Sequence, residues 1–189
     1  MNANLRGKLF IVSGPSGSGK SSLCDALLKQ NPNLTLSVSC TTREPRPGEI
    51  NGREYHFLSK ASFEVQRDDG AFLEWANVHG NLYGTRKSDV ETALDDGRDI
   101  LLEIDWQGAA QVAEKIEGAF RIFIMPPTLE VLKERLILRG QDDASTVEKR
   151  FKAAESEMEH AGEAHCRIVN DRFDDALEQL QAIYQNSHS

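Results

Sequence analysis

Gly14-Pro15-Ser16-Gly17-Ser18-Gly19-Lys20-Ser21 is entered from the apolar run Leu9-Phe10-Ile11-Val12 and left through Ser22 toward Leu23, Leu27 and Leu28 at helical spacing. The stretch reads as strand, glycine loop and helix. The pattern G-x-x-x-x-G-K-[ST] is a phosphate-binding loop when a strand feeds it and a helix leaves it, and both flanks are present. Glycines let successive backbone N–H groups converge on phosphate oxygens, and the N-terminus of the next helix adds a positive dipole end. Lys20 is then placed to reach the β- and γ-phosphates of a nucleotide. The Ser21 hydroxyl is a hard oxygen donor suited to the shell of a Mg²⁺ ion.

Length and charge narrow what such a loop can serve. The 189 residues predict one compact unit, or one core with small insertions. A formal charge of −8 argues against a nucleic-acid partner, which would require a basic face. Cys24, Cys40 and Cys166 lie far apart and form no CxxC pair, which predicts a reducing compartment without disulfide or zinc. Met1 to Lys8 lack the apolar core of a signal peptide, and no apolar run is long enough to span a bilayer. A soluble, cytoplasmic protein is expected.

Working outward from the loop, its helix should end near Asn31-Pro32, and Leu34 to Ser39 reads as a short strand. Thr41-Thr42-Arg43-Glu44-Pro45-Arg46-Pro47-Gly48-Glu49 cannot be helical, because two prolines interrupt it. It either holds the Arg43 and Arg46 guanidinium forks on one dianion or is a solvated loop whose glutamates cancel them. Tyr55 to Leu58 reads as a strand, and Ser59 to Asp69 as a helix capped by Ser59 and stopped by Gly70. Phe72 to Ala76 reads as a strand with Leu73 and Trp75 on one face and Glu74 on the other, where that carboxylate is either an exposed edge residue or a paired, functional one. Gly80 to Thr85 reads as a turn, and Ser88-Asp89-Val90-Glu91 as a capping box opening a helix to about Asp96.

Asp99 to Asp105 and Ala119 to Met125 are continuous apolar strands of the kind buried in a parallel sheet, and Arg167 to Asn170 is a further short one. Alternating strands and helices specify an α/β sheet with right-handed crossovers. Asp105 closes its strand where metal and substrate chemistry occurs in such sheets; alternatively it caps the helix beginning near Gln107. Leu129, Leu132 and Leu136 form the stripe of a helix that carries Arg135 and Arg139 and closes at Gly140. After a polar hinge from Gln141 to Ala144, the capping box Ser145-Thr146-Val147-Glu148 opens a helix whose Val147, Phe151, Ala154 and Met158 share a face, with Arg150 on another. The last helix runs from Asp174 to about Gln185, with Leu177, Leu180 and Ile183 inward.

A phosphate loop, an arginine pair and a second arginine cluster in a hairpin predict phosphoryl transfer from a donor triphosphate to a phosphorylated acceptor. An acceptor phosphate monoester has a second pKa of about 6, so it is a dianion near neutrality and requires no general base. Neutralised charge, in-line positioning and exclusion of water are required instead.

At this level of detail the chain resembles guanylate kinase. The resemblance is carried by Gly14 to Ser21, Thr41-Thr42-Arg43 with Arg46 to Tyr55, Glu74-Trp75-Ala76, Gly80 to Thr85, Ile104 to Gly108, Leu138-Arg139-Gly140 and Ile168 to Asp171, which spread over nearly the whole chain. It implies a P-loop core domain (1–36, 91–127 and 150–189), a small α+β insertion that binds the nucleoside monophosphate (37–90) and a helical lid (128–149). ATP would be the donor, Mg²⁺ the cofactor and GMP the acceptor. Gly14, Pro15, Ser16, Gly17, Ser18, Gly19, Lys20, Ser21 and Ser22 would hold the ATP phosphates, with Ser21 on the metal and Asn170 near the adenine. Arg43, Arg46, Tyr55 and Tyr83 would hold the GMP phosphate; Ser39, Glu74, Thr85 and Asp105 would read guanine, Asp105 on the base or on the metal shell. Lys20, Arg43, Arg139 and Arg150 would act on the transferring group, with Arg135 supporting. Chemistry agrees for Glu74, since guanine presents N1–H and N2–H₂ side by side to one carboxylate. Relatives often carry two tyrosines before Gly84, where this chain has Leu82 and Tyr83, and tyrosines before Ile168, where it has Gly162 to Cys166. The competing readings are a catalytically inactive, protein-binding domain of the same fold and a kinase for AMP or UMP, which would need other groups at positions 39 and 74.

Overall fold

The run Leu9–Ser13 is buried at every position, as expected of a central strand, and forms β1. The computed structural model describes residues 6–78, 80–138 and 144–188. Arg139, Gly140 and Gln141 to Asp143 lie outside the described residues. The chain divides into two compact units, the first taking the chain up to Phe10 and Asn33–Ala119, the second Ile11–Pro32 and the chain from Phe120. β1 is therefore shared. The loop that follows it leads into α1 (Lys20–Gln30), whose C-cap is Asn31.

The first unit continues with β2 (Leu34–Leu36), β3 (Cys40–Thr41), β4 (His56–Phe57), α2 (Lys60–Asp68), β5 (Phe72–Val78), β6 (Asn81–Arg86), α3 (Lys87–Asp95), β7 (Asp99–Glu103) and α4 (Trp106–Lys115). Its part of the main sheet has the order β2-β7-β1, with β2 and β7 parallel. A second sheet has the order β4-β3-β6-β5, and Cys40, Phe63, Phe72 and Leu82 pack together against it. In the second unit, β8 (Phe120–Met125) is followed by α5 (Leu129–Leu138), α6 (Ala144–Glu159), β9 (Cys166–Val169) and α7 (Phe173–Asn186), and the sheet order is β1-β8-β9 with β8 and β9 parallel. Leu132, Leu136, Val147 and Ala154 join α5 to α6, with Leu129 and Phe151 packed on them. This is the expected α/β architecture with a parallel sheet and flanking helices.

Six local expectations change. Gly80 to Thr85 is mostly strand, because β6 is paired on both sides by β3 and β5. Gly84 serves space and not turning: a Cβ there would lie 3.1 Å from the Glu74 carbonyl, Phe63 and Phe72. Ser88 does not cap α3. The strand runs directly into the helix, the N-cap is Arg86 without a side-chain bond, and the Lys87 N–H is satisfied by the Ala71 carbonyl at 2.9 Å. Leu73 and Trp75 are not alike in exposure, since a bulge between Phe72 and Glu74 turns Leu73 inward while Trp75 stays 38% exposed. The strand expected to Ser39 stops at Leu36, and α6 begins at Ala144, one residue before the expected capping serine. In α7 the buried stripe is Ala176, Leu180 and Tyr184, with Leu177 and Ile183 at its flanks.

Candidate active site

In the second unit the loop is shaped by glycines that only a missing side chain permits. Gly14 and Gly19 have φ of 133° and 91°, and a Cβ would meet the Ile124 carbonyl oxygen at 2.2 Å or the Asn170 amide nitrogen at 2.3 Å. Gly19 is also the N-cap of α1, so the first orphan amides of that helix and the loop amides belong to one anion cradle. Lys20 Nζ donates to the carbonyls of Gly14 and Pro15, which holds its ammonium over the loop. Asn170, 5% exposed, donates its amide to the Ser18 carbonyl at 2.8 Å, while Arg135 donates to the Asn170 carbonyl at 3.0 Å. Asn170 and Arg135 thus brace the loop from β9 and α5. Arg150 lies on α6, half-buried. No group of three or more His, Cys, Asp or Glu side chains among the described residues could hold a metal ion. Ser21, in the first turn of α1, fits Mg²⁺ nonetheless, because that ion takes few protein ligands and completes its shell with phosphate oxygens and water.

In the first unit Thr41 and Thr42 fasten the arginine loop to β6. The Thr41 hydroxyl donates to the Leu82 carbonyl at 3.1 Å and accepts from the Arg43 N–H, and the Thr42 hydroxyl accepts from the Leu82 N–H at 2.9 Å. Arg43 then lies 5.4 Å from the Tyr55 ring centroid, and Tyr55 and Tyr83 meet edge to face at 5.9 Å. The Arg43 guanidinium donates to both Glu49 oxygens at 2.8 and 3.0 Å. That bond, with the Arg46 N–H on the same carboxylate, holds Glu49 below the usual carboxylate range. Burial pushes the Tyr55 phenol up to about 12, the charge of Glu103 adding to it, so it stays a hydrogen-bond donor.

Two residues further along β6 sits the second cluster. Glu74 pairs in register with Thr85, and the next pair, Ala76 with Tyr83, points to the same face at a spacing of about 7 Å along the strand. Glu74 is 3% exposed and accepts from the Thr85 hydroxyl. Its pKa is pushed up to about 7, first by burial and further by Asp105, against the Thr85 bond and the charge of Lys115. Asp105 caps α4 by accepting from the Gly108 N–H at 2.9 Å, and Gln107 donates to its other oxygen at 3.1 Å. Capping and a place at the end of β7 are therefore compatible readings of one residue. Ser39, one position before β3, gives its carbonyl to the His56 N–H. Residues with no assigned role in the sequence reading also act here: Gln111 and Lys115 of α4 bond to the backbone of β5, and their spacing with Gln107 at every fourth position was the available signal.

The glycine loop of the second unit presents backbone amides and an ammonium, and the first unit holds a buried carboxylate two strand positions from a phenol and an arginine loop; comparison with known proteins places this chain in a family. The family model described as guanylate kinase matches residues 6–187. A guanylate kinase of Cupriavidus metallidurans is 55% identical over 177 residues, covering 94% of this chain and 82% of the relative. One of Ralstonia nicotianae is 52% identical over 179 residues, 95% of this chain and 81% of the relative. The crystal structure of guanylate kinase from Anaplasma phagocytophilum is similar with a TM-score of 0.81 at 32% identity, covering 97% of this chain and 87% of that one. Matched by this family model over residues 6–187 and 55% identical to one of its members over 94% of its own length, the chain belongs to the guanylate kinase family.

Proposed function

We propose that the chain transfers the γ-phosphoryl group of ATP to GMP, giving ADP and GDP. The observation that carries the acceptor's identity is Glu74, a carboxylate 3% exposed on the same sheet face as Tyr83. Burying a carboxylate is costly unless partners satisfy it, and the bonds it receives from Thr85, the hydroxyl foremost, leave acceptor sites on its two oxygens. Guanine's adjacent N1–H and N2–H₂ complete the set, with Ser39, Thr85 and Asp105 around the base. Arg43, Arg46, Tyr55 and Tyr83 hold the GMP phosphate, in the insertion spanning 37–90.

An oxygen of that phosphate dianion forms the new bond to the γ-phosphorus, while the bond from the γ-phosphorus to the β,γ-bridging oxygen breaks and ADP leaves with its electrons. No proton needs removal from the nucleophile. Gly14 to Ser22 hold the ATP phosphates, and Lys20 turns from the loop carbonyls to the developing charge. Ser21 would hold a Mg²⁺ ion, which would supply further charge neutralisation on the phosphates. Arg139 and Arg150, within and beside the lid segment 128–149, neutralise the transferring group and exclude water, and Asn170 keeps the loop in shape beside the adenine. The presence of Lys20, Ser21, Arg43 and Arg46 argues for an active kinase over a binding module of the same fold.

The test is ADP release with saturating ATP and each of GMP, AMP, CMP and UMP in turn. GMP should exceed AMP in kcat/KM by about 10⁴, the discrimination available when a site built for hydrogen bonds loses its partner. Equal turnover of AMP or UMP would reassign the acceptor, and no ADP release with any of them would make the chain a binding module.

A further inference from the structure

We propose that Gln111 is a positioning residue for guanine recognition, acting through its two hydrogen bonds to Trp75 to fix the strand segment that carries Glu74. The inference rests on the reading that Glu74 accepts the donors of guanine.

Among the described residues β5 is the last strand of its sheet, so one side of its backbone has no strand partner there. Its ladder to β6 is also irregular at this place, with a register shift between Phe72 and Glu74. Helix α4 supplies what is missing. The Gln111 carboxamide accepts from the Trp75 N–H at 3.2 Å and donates to the Trp75 carbonyl at 2.7 Å, the paired bonds a neighbouring strand would make. One turn further, Lys115 donates to the Leu73 carbonyl. The Leu73 carbonyl and the Trp75 N–H belong to the two peptide groups on either side of Glu74, so α4 holds both flanks of the base-reading residue.

The same helix bounds the carboxylate itself. A Cβ at Gly108 would lie 2.5 Å from Glu74 Oε2, so the missing side chain is what admits the carboxylate beside the first turn of α4, and Thr85 holds the other oxygen. Backbone and side chain of Glu74 are thereby referred to one element. A bidentate contact to two adjacent donors tolerates little displacement, because hydrogen bonds weaken steeply with distance and angle.

The consequence is read in GMP against IMP, which keeps N1–H and lacks the 2-amino group. Gln111→Met keeps the length of the side chain and removes both bonds. It should raise KM for GMP by about 5- to 20-fold, leave kcat and KM for ATP within about twofold, and shrink the GMP-over-IMP preference. A residue that merely held the fold together would lower the active fraction for both nucleotides and leave their ratio unchanged. Lys115→Met should shrink the preference as well. It should in addition move the pH midpoint of kcat/KM for GMP upward, since of the charged groups facing Glu74, Asp105 and Lys115 on α4, it removes the one that favours the carboxylate. Gln111→Met should leave that midpoint in place. If Gln111→Met loses its native circular dichroism, Lys115→Met carries the same test. A Gln111→Met enzyme with wild-type KM and ratio, beside a Glu74→Gln enzyme whose ratio collapses, would overturn the positioning role and leave the base reading intact. A Glu74→Gln enzyme with the wild-type ratio would overturn both.

Discussion

In the glycine loop the proposed binding groups are backbone amides, and side chains contribute chiefly by being absent: a methyl group on Gly14 or Gly19 would meet backbone or amide atoms at 2.2 or 2.3 Å. On β5 and β6 the arrangement is reversed. The proposed binding groups are side chains, and neighbouring residues hold them in place, Thr85 and Gly108 at the Glu74 carboxylate, Gln111 and Lys115 at the backbone on either side of it. A phosphate is nearly isotropic and presents many acceptors, so a curved row of N–H groups suffices for it. A purine edge is directional, and recognising it requires particular atoms at particular places. Substitutions should therefore act on chemistry in the first region and on discrimination in the second.

The largest effect belongs to the loop. Lys20→Ala should lower kcat by about 10²- to 10³-fold with the fold retained, since removing one preorganised charge stabiliser costs about 3 to 4 kcal/mol. Steady-state kinetics with circular dichroism check it, and a variant keeping more than about a tenth of kcat would break the assignment of charge stabilisation to the loop. Arg43→Lys comes next. An ammonium cannot reproduce a guanidinium fork shared between Glu49 and a phosphate, so KM for GMP should rise by about tenfold or more while that for ATP changes little. Equal changes in both would place Arg43 outside the acceptor site.

How much of this could be read in advance follows the same division. The structure of the loop with β1 and α1 was fully legible, because strand, turn and helix signals sit in one contiguous stretch. The region of β5 and β6 proposed to read the base was legible in one of its strands and not in its geometry. Gly80 and Gly84 mimic turn punctuation, whereas β6 is held straight by partners on both sides and Gly84 is small because Phe63 and Phe72 crowd it. The bulge that turns Leu73 inward has no signature in a run of alternating residues. Gln111 offered only its spacing with Gln107 and Lys115, for a related reason: its partner is a peptide group, which every sequence possesses.

The smallest effect concerns stability. With its pKa raised from 4.5 to about 7, Glu74 binds more protons folded than unfolded between those values. Its stabilising protonated state is fully present below the unfolded value and lost as pH rises through the folded one. Glu74→Gln should accordingly melt close to wild type near pH 4.5 and above it at pH 8, by an amount of order 1 to 3 kcal/mol. Thermal melts of the free enzyme across that range check the sign, and a variant less stable than wild type at pH 8 would mean that the carboxylate is paired in the free protein.

The most direct measurement is kcat/KM for GMP and AMP in wild type and Glu74→Gln, both shown to be folded. The amide cannot accept two donors and loses charge assistance worth about 1.5 to 3 kcal/mol, so GMP activity should fall by about 10- to 1,000-fold. AMP, whose unprotonated N1 faces the carboxylate in wild type, should gain or hold, and the GMP-to-AMP preference should narrow. A variant that kept the wild-type preference would make Glu74 an ordinary buried strand residue and contradict its assignment as the group that reads guanine.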